Sequence, residues 1–286
     1  MRKKLNQDFI APGTWSRIVV PVSGGKDSQV CLALAVDAVG PDRVLGVHQH
    51  TGFDHPLTYE HMDYMRARYE VPILDVKNPN YETVPDVMMT EVMLPSRHAR
   101  LCTRLLKTDP WFRWLREQSD ADQMLVLLGM RAAESVDRRK NYGDLVATDL
   151  HTMGEISSES PKKTAAVKVQ LPIVNWTTPQ VFEFLRHRGD KINPLYAKGH
   201  KRVGCFPCVL AGKGSMELTV RDPIGRQNIE QLSDAIHVIQ WARPELDISG
   251  FFDHDLPTLL AKKTADPFGF MEEDEQTAGG CSWCQL

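Results

Sequence analysis

Two sets of residues in this sequence have types and spacings that can do chemistry. Ser23-Gly24-Gly25-Lys26-Asp27-Ser28 places two glycines, a cation, a carboxylate and two hydroxyls in consecutive positions. Glycines let backbone amides close on an anion, a lysine adds a point charge, and a helix starting there adds the positive end of its dipole. Such a stretch holds phosphate or sulfate. It is not a Walker A loop, which needs four residues between its first glycine and a Gly-Lys pair, with Ser or Thr after the lysine. Here Asp27 follows Lys26. The second set is cysteine: Cys205-Phe-Pro-Cys208 and Cys281-Ser-Trp-Cys284 are two CxxC pairs separated by a long segment. Four thiolates so arranged suit Zn²⁺ or a [4Fe–4S] cluster, with Cys102 as a further ligand candidate. Alternatively, the C-terminal pair is redox-active, one thiolate attacking and the other resolving. Idle thiols are the remaining alternative, and Cys31 reads as a core residue.

The elements that must position these groups alternate. RIVVPVS (17–23) is a continuous apolar strand of the kind buried on both faces of a parallel sheet. The Ser-Gly-Gly loop follows it at once, then a helix that stops at Gly40. Strands at 43–50, 71–78 and 124–130 and a helix at 58–69 continue the rhythm. This predicts an α/β fold with a doubly wound, mostly parallel sheet, in which ligands lie beyond the carboxyl ends of the strands. A helical insertion is expected at about 85–118, interrupted by Pro95 and Pro110. Residues 140–168 are polar and aperiodic and predict a mobile loop beside the site. A helix then starts with Thr178 as N-cap and Pro179 in its first turn, buries Val181, Phe184 and Leu185, and ends at Gly189. One more helix is expected near 222–242. The chain divides into a nucleotide-binding domain over 1–210 and a helical C-terminal lobe with a cysteine-bearing tail over 211–286.

With 286 residues, 42% hydrophobic and 25% charged, the chain can bury a full core without disulfides. A net charge of −3 provides no overall basic field. It neither indicates nor excludes nucleic acid, and the local run RHARLCTRLLK (97–107) is the best candidate for a basic surface. No apolar run suggests a signal peptide or a membrane span. The expectation is a cytoplasmic protein whose six cysteines are thiols, ligands or redox groups.

SGGKDS directly after a buried strand resembles the PP-loop of the ATP pyrophosphatase superfamily. Four further segments narrow the resemblance to the phosphoadenylyl-sulfate (PAPS) reductase, or sulfonucleotide reductase, family. HTGFDHPLTYEHMDYM supplies Thr51, Gly52 and Thr58, in a segment whose backbone can pair with an adenine edge. LCTRLLKTDP supplies Cys102, Arg104 and Lys107. LLGMRAAESVDRR supplies Gly129, Arg131, Glu134, Ser135 and Arg138. The run LPIVNWTTPQVFEFL…NPLYAKGHKRVGCFPC completes the order, and the matches together cover about 17–210.

The resemblance implies an adenine nucleotide on Ser23–Ser28 and the segments around Thr51, Gly52, Gly129, Arg131, Glu134, Ser135 and Arg138. Lys26, Asp27, Lys107, Arg131 and Cys284 would be the catalytic groups. The nucleotide would be PAPS or adenylyl sulfate, with sulfur reduction and a thioredoxin-like reductant. It would otherwise be ATP with Mg²⁺, adenylating an acceptor for thiolation of a nucleic acid beside a cysteine desulfurase. A nucleotide-binding module without catalysis is the third alternative. Cluster-containing relatives carry a CxxC where Cys205 and Cys208 stand, favouring iron, but have two adjacent cysteines where this chain has Leu101-Cys102. The tail GGCSWCQL also departs from the family's Glu-Cys-Gly-Leu-His motif.

Overall fold

Ile18, Val19 and Val20 are β-branched and wholly buried, which suits the centre of a sheet. In the computed structural model, which describes residues 15–96 and 99–246, they form β1 (Arg17–Pro21). The other strands are β2 (Val44–Gln49), β3 (Ile73–Val76), β4 (Met124–Leu127), β5 (His151–Thr152) and β6 (Lys168–Gln170). They make one sheet in the order β3-β2-β1-β4-β6-β5, parallel except for the β5–β6 pair. β1 is flanked by β2 and β4, so the connections leaving β1 and β4 open a crevice at the carboxyl edge of the sheet.

Helices α1 (Lys26–Val39), α2 (Pro56–Tyr69) and α8 (Thr178–His187) cover one face, packing Val30, Met62, Met65, Val181 and Leu185 on Ile18, Val20 and Val22. The other face takes α5 (Asp109–Glu117), whose Trp111, Phe112 and Leu115 pack on Val19, Leu45 and Val47. Coverage on both faces explains the unbroken apolar strands. A third cluster unites α3 (Val84–Glu91), α4 (Leu101–Thr103), α9 (Lys213–Arg221) and α10 (Pro223–Ala242). No helix among the described residues is long and apolar enough to cross a membrane.

Three local expectations are corrected. Pro110 does not interrupt the helical insertion. It sits in the first turn of α5, directly after a π-helical turn over Arg104–Thr108. A proline cannot donate to the carbonyl four residues back, and the wider turn accommodates that loss. Residues 140–168 are not a loop throughout: α6 (Val136–Tyr142) enters the region, and β5 pairs with β6 before α7 (Met153–Ile156). Met153 is wholly buried there, and Thr152 and Glu155 form a capping box. The N-cap of α8 is Thr177, in a capping box with Gln180, rather than Thr178.

Candidate functional site

Ser23–Ser28 sit where β1 runs into α1, at the carboxyl edge of the sheet. Gly24 has a φ of +72°, and a Cβ added there would lie 2.5 Å from Cγ2 of the buried Thr58. The loop is tied from within and from outside. Ser23 N–H donates to Ser28 Oγ (3.3 Å), whose hydroxyl donates to the Gly25 carbonyl (3.0 Å). Asn193 Nδ2 donates to the Gly24 carbonyl (3.0 Å), and the Lys26 N–H donates to the Tyr196 hydroxyl (3.1 Å). Gly129, just after β4, closes on the start of α1 so tightly that a Cβ would lie 3.1 Å from the Asp27 carbonyl oxygen.

The charges at the loop are buried and interlocked. Asp27 accepts from Lys26 Nζ at 2.9 Å and from Arg131 Nε at 2.6 Å. Arg131 also donates to the Trp176 carbonyl (3.1 Å) and Thr178 Oγ1 (3.2 Å). Glu134 pairs with Arg138 and lies 3.9 Å from Arg131, and both arginines are only 1% exposed. Lys26 and Arg131 share Asp27, and with Arg138 and Glu134 added three cations stand against two carboxylates, a local excess of positive charge beside the loop. Burial holds the Lys26 ammonium below its ordinary pKa, opposed by Asp27 and assisted by Arg131 and Arg202. Its Nζ stands 5.3 Å from the Tyr196 ring centre and 5.8 Å from that of Phe182.

A small polar pocket opens between this loop and the cysteine segment, lined by Ser23, His48, Gln49, Asp54, Lys107 and Gly204. Gly204 precedes Cys205, whose Sγ lies 3.6 Å from Thr51 Oγ1. The two strips are stitched by backbone: Asp54 and Cys205 form an isolated antiparallel bridge, and Phe206 N–H donates to the Phe53 carbonyl (2.7 Å). Thr51 further donates to Asp54 Oδ2 (2.9 Å). Burial pushes the Cys102 thiol up to about 12, with Cys205 and Cys208 adding to the shift and Lys107 opposing it. Burial likewise pushes Cys205 up to about 11, again opposed by Lys107. Cys102 and Cys205 both pack, partly buried, against the third core cluster.

Most of the residues expected at the site do converge, in differing capacities. Ser23–Ser28, Gly129 and Arg131 form one unit, with Glu134 and Arg138 joined to it through Arg131. Ser135 caps α6, accepting from the Arg138 N–H (3.1 Å). Thr58 lies under the loop, Gly52 lies against the Glu82 carbonyl, and Lys107 faces the pocket from the π-helical turn. Cys31 is wholly buried. Cys281 and Cys284 lie outside the described residues. Asn193 and Tyr196 clamp the loop, and the only sequence signal was their place in the Asn-Pro-Leu-Tyr run, to which no role was attached. His48 and Asp54 carried no signal as pocket residues.

Residues 17–211 match the family model described as the phosphoadenosine phosphosulfate reductase domain. The chain belongs to that family. Among its relatives, an uncharacterized protein of Methanocaldococcus jannaschii is 27% identical over 205 residues. That match takes in 72% of this chain but only 38% of the relative, so the chain spans well under half of that protein. The adenosine 5′-phosphosulfate reductase of Deinococcus radiodurans is 26% identical over 196 residues, 68% of each chain. The phosphate complex of phosphoadenylyl-sulfate reductase from Candida auris superposes with a TM-score of 0.51 at 18% identity. It covers 68% of this chain and 84% of that one, a likeness of fold within the PAPS reductase family.

Proposed function

We propose that the chain is a sulfonucleotide reductase-type enzyme, binding an adenine sulfonucleotide with its sulfate-bearing end on Ser23–Ser28. One observation carries this reading: Ser23 of the anion loop, Lys107, and Gly204 beside Cys205 line the same pocket. Similarity to the Deinococcus radiodurans reductase supports it. Lys26, Arg131 and Arg138, against Asp27 and Glu134, favour an anion on the loop, and Lys107 lines the same pocket. A cysteine thiolate, with Cys284 as the assigned nucleophile, attacks the sulfonate sulfur. The bond from sulfur to the nucleotide's phosphate oxygen breaks, and the nucleotide leaves with that oxygen. A second thiolate then attacks the cysteine sulfur; sulfite leaves with the electron pair, and a disulfide forms. A dithiol protein of thioredoxin type returns the two electrons.

By donor chemistry Cys102, Cys205 and Cys208, with Cys281 as a fourth thiolate, would hold a [4Fe–4S] cluster; zinc is the alternative metal. The raised pKa values of Cys102 and Cys205 fit ligation better than nucleophilic attack. As free thiols Cys102 and Cys205 stay protonated near neutrality, and a bound metal is what would deprotonate them. A bound cluster with its four thiolates would carry net negative charge, which Lys107, close enough to act on Cys102 and Cys205, would offset beside the sulfonate.

A second reading rests on the tail, which lacks the family's Glu-Cys-Gly-Leu-His motif. In it ATP with Mg²⁺ binds, an acceptor oxygen of a nucleic acid attacks the α-phosphate, and pyrophosphate leaves on the loop. A cysteine desulfurase would then supply the sulfur. Anaerobically purified protein is given adenylyl sulfate or its 3′-phosphate with thioredoxin and, separately, ATP with nucleic acid. Sulfite that disappears in Cys284→Ser supports reduction; pyrophosphate without sulfite overturns it in favour of the second reading. Iron and acid-labile sulfide in the same sample test the cluster.

A further inference from the structure

His48 in β2 and His50 just past its end stand two residues apart, and His50 N–H still donates to the Val76 carbonyl of β3 (2.9 Å), so their side chains leave the same face of the sheet. β3 runs parallel beside them, and its register sets Asp75 opposite His48. Two imidazoles and a carboxylate are thereby gathered by strand pairing alone. One nitrogen from each ring and one Asp75 oxygen lie within 4.8 Å of one another. Tyr59 of α2 packs against both rings, at 6.2 Å from His48 and 5.6 Å from His50 between ring centres.

A second observation makes this more than a cluster. His48 is 3% exposed, and its Nδ1 lies 2.8 Å from the Val22 carbonyl, an oxygen that can only accept. Nδ1 therefore carries the proton, and Nε2 is the nitrogen with the lone pair. That Nε2 is buried and has no hydrogen-bond partner. A ring N–H donated to a backbone carbonyl is the arrangement that fixes the tautomer of a metal-binding histidine. Asp54 Oδ2, held by Thr51, lies 3.9 Å from the same Nε2.

We infer that His48, His50 and Asp75 form a binding site for a divalent first-row transition metal, separate from the cysteines. Two imidazoles with one carboxylate suit zinc, cobalt, nickel or ferrous iron, whereas magnesium and calcium favour all-oxygen sets. Three protein ligands leave coordination positions for water or a substrate oxygen. The His48–Val22 hydrogen bond ties this ligand to the residue that precedes Ser23, at the head of the anion loop. The site does not depend on which nucleotide the loop takes.

Chelator-stripped full-length protein is titrated with Co²⁺ and followed by its visible spectrum, because thiolate ligation adds sulfur-to-cobalt charge transfer that nitrogen and oxygen ligands lack. The full chain is expected to take up a Co²⁺ equivalent with d–d bands and no such charge transfer. His50→Ala and Asp75→Asn, at less buried positions than His48, should each weaken that uptake at least roughly tenfold with circular dichroism unchanged. Equal uptake by the parent and both variants overturns the proposal, as does a parent spectrum in which every bound cobalt shows thiolate charge transfer.

Discussion

Gly24→Ala tests how the anion loop is held. The backbone there is left-handed, at φ +72°, which costs a residue with a side chain about 1–2 kcal/mol. The new methyl would also meet Thr58 Cγ2 at 2.5 Å, and Thr58 is wholly buried, so it has no room to withdraw. Overpacking of that kind costs about 1–3 kcal/mol, so the substitution should destabilise by about 2–5 kcal/mol in all. The two parts are separable. Thr58→Ser deletes the offending methyl and keeps the hydroxyl that lies 3.4 Å from Asn193 Nδ2. The next contacts of the new Cβ, Thr58 O at 3.5 Å and Met62 Cγ at 3.7 Å, are ordinary. In the double variant the overpacking cost should vanish and only the backbone cost remain. Urea unfolding of the four proteins of this cycle, read by circular dichroism, gives the coupling energy directly. A loss below about 1 kcal/mol in Gly24→Ala, or no recovery on adding Thr58→Ser, would refute the account of the loop.

Asp27→Asn leaves the buried Lys26 and Arg131 facing each other without their shared carboxylate, and should cost about 3–5 kcal/mol in thermal unfolding. Adding Arg131→Met should restore part of that, and strict additivity of the two losses would count against the pairing. Burial depresses His61 from the ordinary 6.5 to about 4, so the folded state resists a proton that the unfolded state accepts. Its contribution is complete above 6.5 and is lost as the pH falls toward 4. The loss is about 3 kcal/mol, and His61→Gln should flatten that part of the stability–pH curve. In metal-free protein at pH 8, Cys102 and Cys205, with thiols at about 12 and about 11, should alkylate far more slowly than in urea. Mass mapping of both sites checks this, and equal rates in the two conditions would contradict the burial.

What the sequence showed and hid follows from where each signal resides. β1 and α1 were legible because Ile18-Val19-Val20 and the Ser-Gly-Gly loop state their environment within a few residues. β5 and β6 were not: two and three residues are too few to display a period, and the buried Met153 sits among polar neighbours. Pro110 misled because its usual penalty is absorbed by a turn whose width no local pattern announces. At the site, residues in segments with an assigned role were found, Arg131 among them across 104 positions, while Tyr196, which reaches Lys26 across 170, lay in a run to which no role was attached. The pairing of Asp75 with His48 likewise exists only once β2 and β3 are in register.

The family match stops at Ala211, but the third core cluster does not. Phe53, Val84, Val87 and Met88 lie within the matched span and pack with Met216, Val220, Ile229 and Leu232 beyond it. Asp222, also beyond it, receives His55 at 3.4 Å and Lys198 at 2.9 Å. The matched span is therefore a unit of ancestry without being a unit of folding. Expressed alone, residues 17–211 would present a greasy, unsheathed flank and invite self-association. In the intact chain, α9 and α10 serve that flank as a tethered subunit would, at an effective concentration no separate partner could match.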